Sequence, residues 1–527
     1  MGGGRPVEGE KPMRAALGAE DGKRARQIVL LALLALGAFM RLWRLGQVPA
    51  GIHQDEAFSA YEAYCLLEDG KDSWGYAFPV YFTAWGSGMN ALGIYLMTPF
   101  VALFGLTAWA IRMPQAIVAC LTLPAFYGAM KRLFDERTGL VALGVLAVCP
   151  WHILLARWGI ESNLAPGFLI FGLYFMTRGM ENPRFYPVSA LFYGLSLYAY
   201  ATIWVVVPVI VALEAALLLA CGKMKPDRYM ALSLLALGLL ALPLVLYLLV
   251  NKGLIPEIRT PFFSIPRMQE ARIDEVSLSD VVGNFGKMAR MLLLQTDGEL
   301  YNAPKGYGLY TFVAVPFIAV GAVSCVCRAA RSLRRREMDG ALFVLIQLLP
   351  ALVLGLLISG NIVRLNSLHM PVLMLETVGL VRTVDAFEKN RRRAGAVIAA
   401  CYLAVFAGFA HHYFTDYAER VSITFRDGLG DAVARAKELA GEEGPIAVLG
   451  SIEFSRILFY DGTPPQAYRD TVTFKGSQRY LQAASFTRWR FGEAQEGDVI
   501  VANFDADLSG YADYAREDYG WITVLHR

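Results

Sequence analysis

The sequence predicts a polytopic α-helical membrane protein with a small soluble α/β domain at its C-terminal end. Three observations predict it. The 527-residue chain is 56% hydrophobic and only 18% charged, against about 25% charged in soluble domains, and its mean hydropathy is +0.41. Apolar runs of span length, about 17–25 residues, recur between residues 28 and 413. The basic clusters between those runs fall on alternate connections, as the positive-inside rule requires.

Residues 1–27 carry Arg5, Lys11, Arg14, Lys23, Arg24 and Arg26 and read as a disordered, cytoplasmic basic tail. Ile28–Leu45 crosses outward as a signal anchor, because its apolar run is long and no small-residue cleavage site leads into a soluble domain. The loop that follows, 47–108, is acidic through Asp55, Glu56, Glu62, Glu68, Asp69 and Asp72. Within it, Gly88–Gly105 is apolar but barely long enough to span. Counting it as a crossing would reverse every later basic cluster, so it reads as an interfacial or re-entrant helix.

Further spans are expected near 109–130, 139–156, 163–180, 185–201, 203–221, 229–250, 308–327, 340–358, 365–383 and 394–413, giving about eleven crossings. Lys131, Arg132 and Arg137 then lie inside, as do Arg178 and Arg184, Lys223 to Arg228, Arg328 to Arg336, and Lys389 to Arg393. The N-terminus is cytoplasmic and the C-terminus external. A second external loop, 251–307, contains Pro256, Pro261 and Pro266 and an amphipathic helical pattern from Leu278 to Leu294. The membrane domain thus occupies 28–414. In the extracytoplasmic domain, 415–527, a helical pattern at 427–440 ends at Gly441, and Ile446–Leu449, Val499–Ala502 and Trp521–Leu525 read as strands.

Composition also excludes several classes. The seven cysteines are scattered, mostly inside apolar spans, and no CxxC pattern suggests a disulfide framework or zinc site. No Walker or GxGxxG phosphate loop occurs. The basic clusters are accounted for by topology, so no nucleic-acid partner is expected.

Four polar constellations fall on the outer side of this topology. The first is Asp55-Glu56 in GIHQDEAFSAYEAYCLL, Gly51 to Leu67, directly after the first span. Acids are favoured in a first helical turn. An acidic pair at a membrane edge also suits a general base or a cation ligand. His53 adds a polar neighbour, and Tyr61 follows at helical spacing, as an interfacial anchor or a substrate contact. The second is PWHILLARWGIESN, Pro150 to Asn163, with Arg157 and Glu161. They pair on a helix, or they serve a phosphate and an acceptor or sugar. The third, SGNIVRLNSLHMP, Ser359 to Pro371, isolates Arg364 between two spans, where it snorkels or meets a lipid phosphate. The fourth is Lys305 in YNAPKGYGLY, Tyr301 to Tyr310, a solvated loop lysine or a head-group contact.

The pattern DEA-x-x-A-Y-x-A-Y-x-L-L-x-x-G, Asp55 to Gly70, resembles the first external loop of a known family, as do FGLTAWAIRMPQAIVACLTLPAFY, DERTGLVALGVLAVCPWHILLARWGIESN and NIVRLNSLHMP. Together they look like the bacterial GT-C glycosyltransferases of the dolichyl-phosphate-mannose–protein mannosyltransferase and aminoarabinose-transferase superfamily. The resemblance covers about residues 28–390. It implies a GT-C membrane domain with its site on the external face, a polyprenyl-phosphate-linked sugar as donor, an extracytoplasmic acceptor, and inversion at the sugar carbon. Asp55 matches the family's catalytic base, and Glu56 the second acid that binds acceptor or metal. Glu161 falls where relatives carry another acid. No cofactor is certain, and if a divalent metal takes part, Asp55, Glu56 or Glu161 would hold it. The chain departs in having Ala84-Trp85-Gly86-Ser87 where the protein mannosyltransferases carry a His-Pro-Pro element, which argues against a protein acceptor. The competing class is a transporter or lipid-linked-sugar flippase. It would place its acids at mid-membrane and show paired broken helices, of which the sequence gives no sign.

Overall fold

Apolar residues dominate the first two-thirds of the chain on all faces, so the helices they form must be buried in each other or in lipid. The computed structural model describes residues 10–269, 280–477 and 480–527. Helix α1, Glu10–Leu42, contains the first span. The tail expected to be disordered is therefore helical from Glu10 onward, because its Ala, Leu, Glu, Lys and Arg residues are strong helix formers. Residues 1–9 lie outside the described residues.

After α1 come α2, Gln54–Asp69, the short strands β1 (Tyr81–Phe82) and β2 (Met89–Asn90), and α3, Ala91–Phe104. The 14 residues of α3 are fewer than the roughly 20 a span needs. Helix α4, Ala108–Leu133, is followed by α5, Glu136–Val148, and α6, Pro150–Ala156, which bend by 62° at their junction. Pro150 cannot continue the hydrogen-bond ladder, and the Trp151 N–H turns instead to Leu309 O (2.9 Å). The membrane part continues with α7, Ala165–Gly179, α8, Tyr186–Ser196, α9, Ile203–Ala220, and α10, Arg228–Asn251. Strands β3 (Ile258–Arg259) and β4 (Ser264–Ile265) pair before α11, Val281–Leu294. Then follow α12, Val315–Arg335, α13, Gly340–Leu357, α14, Asn366–Ala386, and α15, Arg391–Phe414. The amphipathic pattern from Leu278 corresponds to α11; residues 278–279 lie outside the described residues.

Among the described residues, seven helices are long and apolar enough to cross a membrane, or eight if the bent α5–α6 pair is one span. This is a multi-pass membrane protein. Three of the eleven expected crossings fall on helices outside this group. At 15 and 11 residues, α7 and α8 are shorter than a span. Helix α14 has the length but buries Asn366, His369, Glu376 and Thr377 inside the bundle. Its crossing with α12 is backbone to backbone: a Cβ at Gly321 would collide with the Leu375 carbonyl, and one at Gly379 with the Phe317 carbonyl. Small residues allow helices this approach.

Helix α16, Asp416–Phe425, leads into the C-terminal unit, with α17 (Leu429–Ala440), β5 (Ile446–Leu449), α18 (Phe454–Asp461) and α19 (Pro465–Thr471). Six more strands complete a seven-stranded mixed sheet: β6 (Thr473–Ser477), β7 (Tyr480–Phe486), β8 (Trp489–Phe491), β9 (Val499–Asn503), β10 (Ala515–Tyr519) and β11 (Ile522–His526). The strand order is β10-β11-β9-β5-β8-β7-β6, with β5 parallel to both of its neighbours. Buried on all four residues, β5 is the apolar centre expected of a parallel strand. This unit does not stand apart. Ile52, Phe58, Tyr61 and Leu66 share one apolar core with Ile457, Phe459, Tyr468 and Trp489, so α2 is packed into the C-terminal unit.

Candidate active site

The first turn of α2 is a capping box with histidine in the hydroxyl's role. The His53 Nδ1 accepts from the Asp55 N–H (3.2 Å), and the Glu56 Oε2 accepts from the His53 N–H (3.1 Å). Burial first, then the charges of Arg456 and Arg112, lower the His53 pKa to about 3. The ring is neutral, and an accepting Nδ1 puts its proton on Nε2.

Two adjacent acids of this turn meet different surroundings. Glu56 is fully buried. It accepts from Arg112 Nε (2.8 Å) and Nη2 (3.0 Å) and from the Gly159 N–H (2.8 Å). Arg112 donates further to Pro49 O (2.7 Å) and Gly51 O (2.8 Å). Expected as a second catalytic acid, Glu56 is instead committed to a bidentate ion pair, with no face open to a substrate. Asp55 keeps 32% of its side chain exposed, with Oδ2 3.7 Å from His53 Nδ1. Beside it His53 packs against Trp158 (5.0 Å between centroids), Phe425 (5.8 Å) and Tyr301 (6.1 Å). Burial raises the Tyr301 phenol to about 12, with the charges of Glu299, Asp297 and Asp55 adding to the effect.

Glu161 opens a single 3-10 turn, Glu161–Leu164, just past the bent helix pair. Its Oε2 accepts from the Asn90 N–H. It shares a cavity of about 370 Å³ with Arg364, Tyr81, Tyr200, Trp204 and Tyr247, floored by Leu248, Leu354 and Ile358. Two residues singled out separately in the sequence, Glu161 and Arg364, thus line one cavity with four aromatic residues. The Arg364 N–H is tied to Asn361 Oδ1 (2.8 Å), and its carbonyl accepts from Thr202 Oγ (3.3 Å). The segment from Trp158 to Glu161 links the two places. Trp158 meets His53, Gly159 meets Glu56, and Glu161 lines the cavity.

The remaining expectations fare differently. Arg157 was expected to pair with Glu161 on a helix or to serve a phosphate, but it is fully buried. It donates to Met40 O (3.1 Å), Arg41 O (3.3 Å), Arg44 O (3.1 Å), Val48 O (2.9 Å) and Tyr413 Oη (3.2 Å). It clamps the chain leaving α1, because unpaired carbonyls at a helix C-terminus need donors. Tyr61 is buried and donates to Thr463 O (3.0 Å), edge-on to Tyr468. It anchors the C-terminal unit rather than a substrate. Lys305 is exposed in a separate surface cleft with Gln295, Glu299 and Phe312. Among the described residues no three His, Cys, Asp or Glu side chains converge as a metal-ligand group, and Glu56 is held by Arg112. Asp55, Glu56 and Glu161 therefore do not form a ligand set.

Sequence reasoning missed Arg112 and Arg456. A lone arginine inside an apolar span is itself a signal, and Arg112 in AWAIRMPQAIVA carried it. Arg456 sits in an ordinary amphipathic helix and gave none.

Comparison with known proteins fits this architecture. Residues 91–248 match the family model described as dolichyl-phosphate-mannose-protein mannosyltransferase. The solved structure of ArnT from Cupriavidus metallidurans in the apo state is similar over 96% of this chain and 98% of its own, at a TM-score of 0.55 and 12% identity. The fold is that of the GT-C glycosyltransferases. The same GT-C protein bound to undecaprenyl phosphate matches with a TM-score of 0.52 and 12% identity, over 94% of this chain and 97% of its own. The Archaeoglobus fulgidus oligosaccharyltransferase, another GT-C structure, matches at 14% identity and a TM-score of 0.49, over 82% of this chain. Here the chain spans only 63% of the relative's length. No curated protein matches the sequence.

Proposed function

We propose that this protein is a membrane glycosyltransferase that moves a sugar from a polyprenyl-phosphate-linked donor to an acceptor on the outer side of the membrane. The observation that carries the reading is the cavity shared by Glu161 and Arg364. A guanidinium suits a phosphate diester, aromatic walls suit sugar faces, and an aliphatic floor beside α10 and α13 suits a lipid tail. A fold shared with a protein solved with undecaprenyl phosphate supports it. No nucleotide pocket is required, because the lipid phosphate is the leaving group.

In this reading Asp55 is the general base. It is the exposed member of the acidic pair, on a rigid helix start fixed by His53 and by the Glu56–Arg112 pair. Its carboxylate takes the proton of an acceptor hydroxyl as that oxygen attacks the sugar carbon. The carbon–phosphate-oxygen bond breaks on the opposite face, inverting the configuration, and Arg364 stabilises the departing phosphate. Glu161 holds the Asn90 backbone and the sugar side of the cavity. The domain reading is 28–414 for catalysis and 415–527 as an extracytoplasmic unit, with the N-terminus cytoplasmic and the C-terminus outside.

The test is transfer by purified protein in liposomes carrying a polyprenyl-phosphate sugar and a mixture of hydroxyl acceptors. The expected result is polyprenyl phosphate release that Arg364→Gln slows at least tenfold. Transport of the intact lipid-linked sugar across the bilayer with no phosphate release would show a flippase instead.

A further inference from the structure

The end of the bundle away from the candidate site holds a second cavity. Helix α14 starts at Asn366, whose side chain donates to Ser162 O beside Glu161 (3.1 Å). Along the same helix Asp385 lies about 28 Å further on. There a groove of about 380 Å³ opens between α1, α5, α14 and α15. Leu33, Val141, Val384 and Ile398 give it apolar walls, and Arg137 is the charged residue among those that line it. Tyr402, deeper in, donates its hydroxyl to Glu376 (2.8 Å). Two glycines give the groove its width. A Cβ at Gly144 would meet Leu33 at 3.8 Å, and one at Gly395 would meet Val384 at 3.9 Å. Both are ordinary contacts, so the space beside these glycines is open to a ligand.

The depth and the charge of the groove select its occupant. From Arg137 to Val148 the α5 wall rises about 16 Å. That is about half of a hydrocarbon core of roughly 30 Å, the depth of one leaflet. A partner's transmembrane helix would need the whole thickness. At the mouth, Arg137 Nη1 and Arg391 Nη2 both donate to Asp385 Oδ1, each at 2.5 Å. The two arginines keep 46% and 53% of their side chains exposed. An arginine carries several N–H donors, so sharing one carboxylate leaves both with capacity for a second anion. Glu136 is shared in the same way, by Arg26 (3.2 Å) and Lys131 (3.4 Å). Lys389, Arg392 and Arg393 line an adjoining surface cleft with Arg391 and Glu388. Arg391, Gly395, Ile398 and Tyr402 follow at helical spacing, so one face of α15 joins this charge to the apolar groove.

We propose that the groove is a binding site for an anionic phospholipid of the leaflet at that end, its phosphate against Arg137 and Arg391 and one acyl chain between α5 and α15. The guanidinium fork matches phosphate oxygens, and basic pockets between membrane helices suit anionic head groups. The inference stands apart from the sugar-transfer reading, because the groove lies at the opposite end of the bundle from Glu161 and Arg364.

The experiment titrates delipidated protein in detergent with dioleoyl phosphatidylglycerol or dioleoyl phosphatidylcholine. Bound lipid is read by native mass spectrometry, with melting temperatures as fold controls. One phosphatidylglycerol is expected to bind, at least about fivefold more tightly than phosphatidylcholine. Arg391→Gln, which leaves Asp385 with Arg137, should weaken phosphatidylglycerol about fivefold and leave phosphatidylcholine unchanged. Gly395→Leu, which fills the groove, should lose the bound lipid. Lys225→Gln, an equal loss of charge on the connection between α9 and α10, should change neither affinity. Excess inorganic phosphate should not displace the lipid. Equal affinity for the two lipids would overturn the proposal, as would displacement by phosphate or an equal weakening in Lys225→Gln. An unchanged preference in Arg391→Gln or wild-type binding by Gly395→Leu would overturn it too. So would a dimer that Gly395→Leu splits, since a second copy of the chain would then fill the groove. If Gly395→Leu does not fold, Gly144→Leu fills the same groove from α5 and decides in its place.

Discussion

Helix α2 buries two glutamates fully, and they are handled in opposite ways. Glu56, in the first turn, meets Arg112 through both of its oxygens. Among the described residues Glu62, less than two turns on, meets no guanidinium directly. Its oxygens accept from the Ser73 N–H (2.9 Å) and the Ser73 hydroxyl, and a second buried acid, Asp72, lies beside it. Asp72 Oδ1 accepts from the N–H groups of Tyr76 (2.7 Å) and Trp74 (3.0 Å), while Oδ2 has no partner. Burial raises both acids, Glu62 to about 8 and Asp72 to about 7, and the Asp72 charge raises Glu62 further. The same helix thus carries one acid neutralised by an ion pair and another neutralised by a proton. The difference teaches that burial alone does not mark a catalytic acid on this helix. Asp55, the acid left partly exposed between the His53 cap and the aromatic wall, is the one with a face open to solvent.

The largest effect should come from breaking the ion pair. Arg112→Met leaves Glu56 buried and unpaired, and stability should fall by about 3–5 kcal/mol, read as a large drop in melting temperature in detergent. A variant that melts like wild type would mean that Glu56 is solvated or protonated. Glu56→Gln/Arg112→Met together should be milder than Arg112→Met alone, since no buried charge remains.

The protonated pair has a pH signature of the opposite kind. The folded values of Glu62 and Asp72 lie above their unfolded values. Their contribution is full below the ordinary carboxylate range and is lost as pH rises through about 7 and about 8. Docking of the C-terminal unit on α2 should loosen over that window, because Arg469 bridges it to Asp69 and to Asp72 O (3.1 Å). Melting temperature should therefore decline from pH 5 to pH 8.5 in wild type and decline less in Glu62→Gln, whose neutral amide cannot ionise. Equal slopes in the two proteins would contradict the assignment. A smaller effect, about 1 kcal/mol, is expected for Tyr61→Phe, which removes one buried hydrogen bond to Thr463 O. Transfer activity should be unaltered in that variant.

Much of the architecture was legible in residue order. The long apolar spans, the short α3, the end of α17 at Gly441 and the strand Ile446–Leu449 follow from periodicity and composition. Edge strands β6 and β10 escaped notice because they are polar and mostly exposed, so no alternation of apolar residues marks them. Within the candidate site, Glu161 and Arg364 were found from their placement at span ends, and the fold puts them in one cavity. Glu56, Arg157 and Tyr61 each carried a substrate-facing reading beside a structural one, because a charged or phenolic side chain at a membrane edge looks the same in sequence whether its partner is a ligand or the chain itself. Their partners, Arg112, the carbonyls after α1, and Thr463, lie from 56 to 402 residues away. No local pattern encodes such pairings.

The contrast between the closed acid and the open one is tested most directly by Asp55→Asn. The substitution keeps shape, cap and exposure and removes only the basic oxygen. Transfer from a polyprenyl-phosphate sugar in liposomes should fall by about 10²–10⁴-fold with the melting temperature unchanged. Wild-type transfer rates in a folded Asp55→Asn protein would contradict the account.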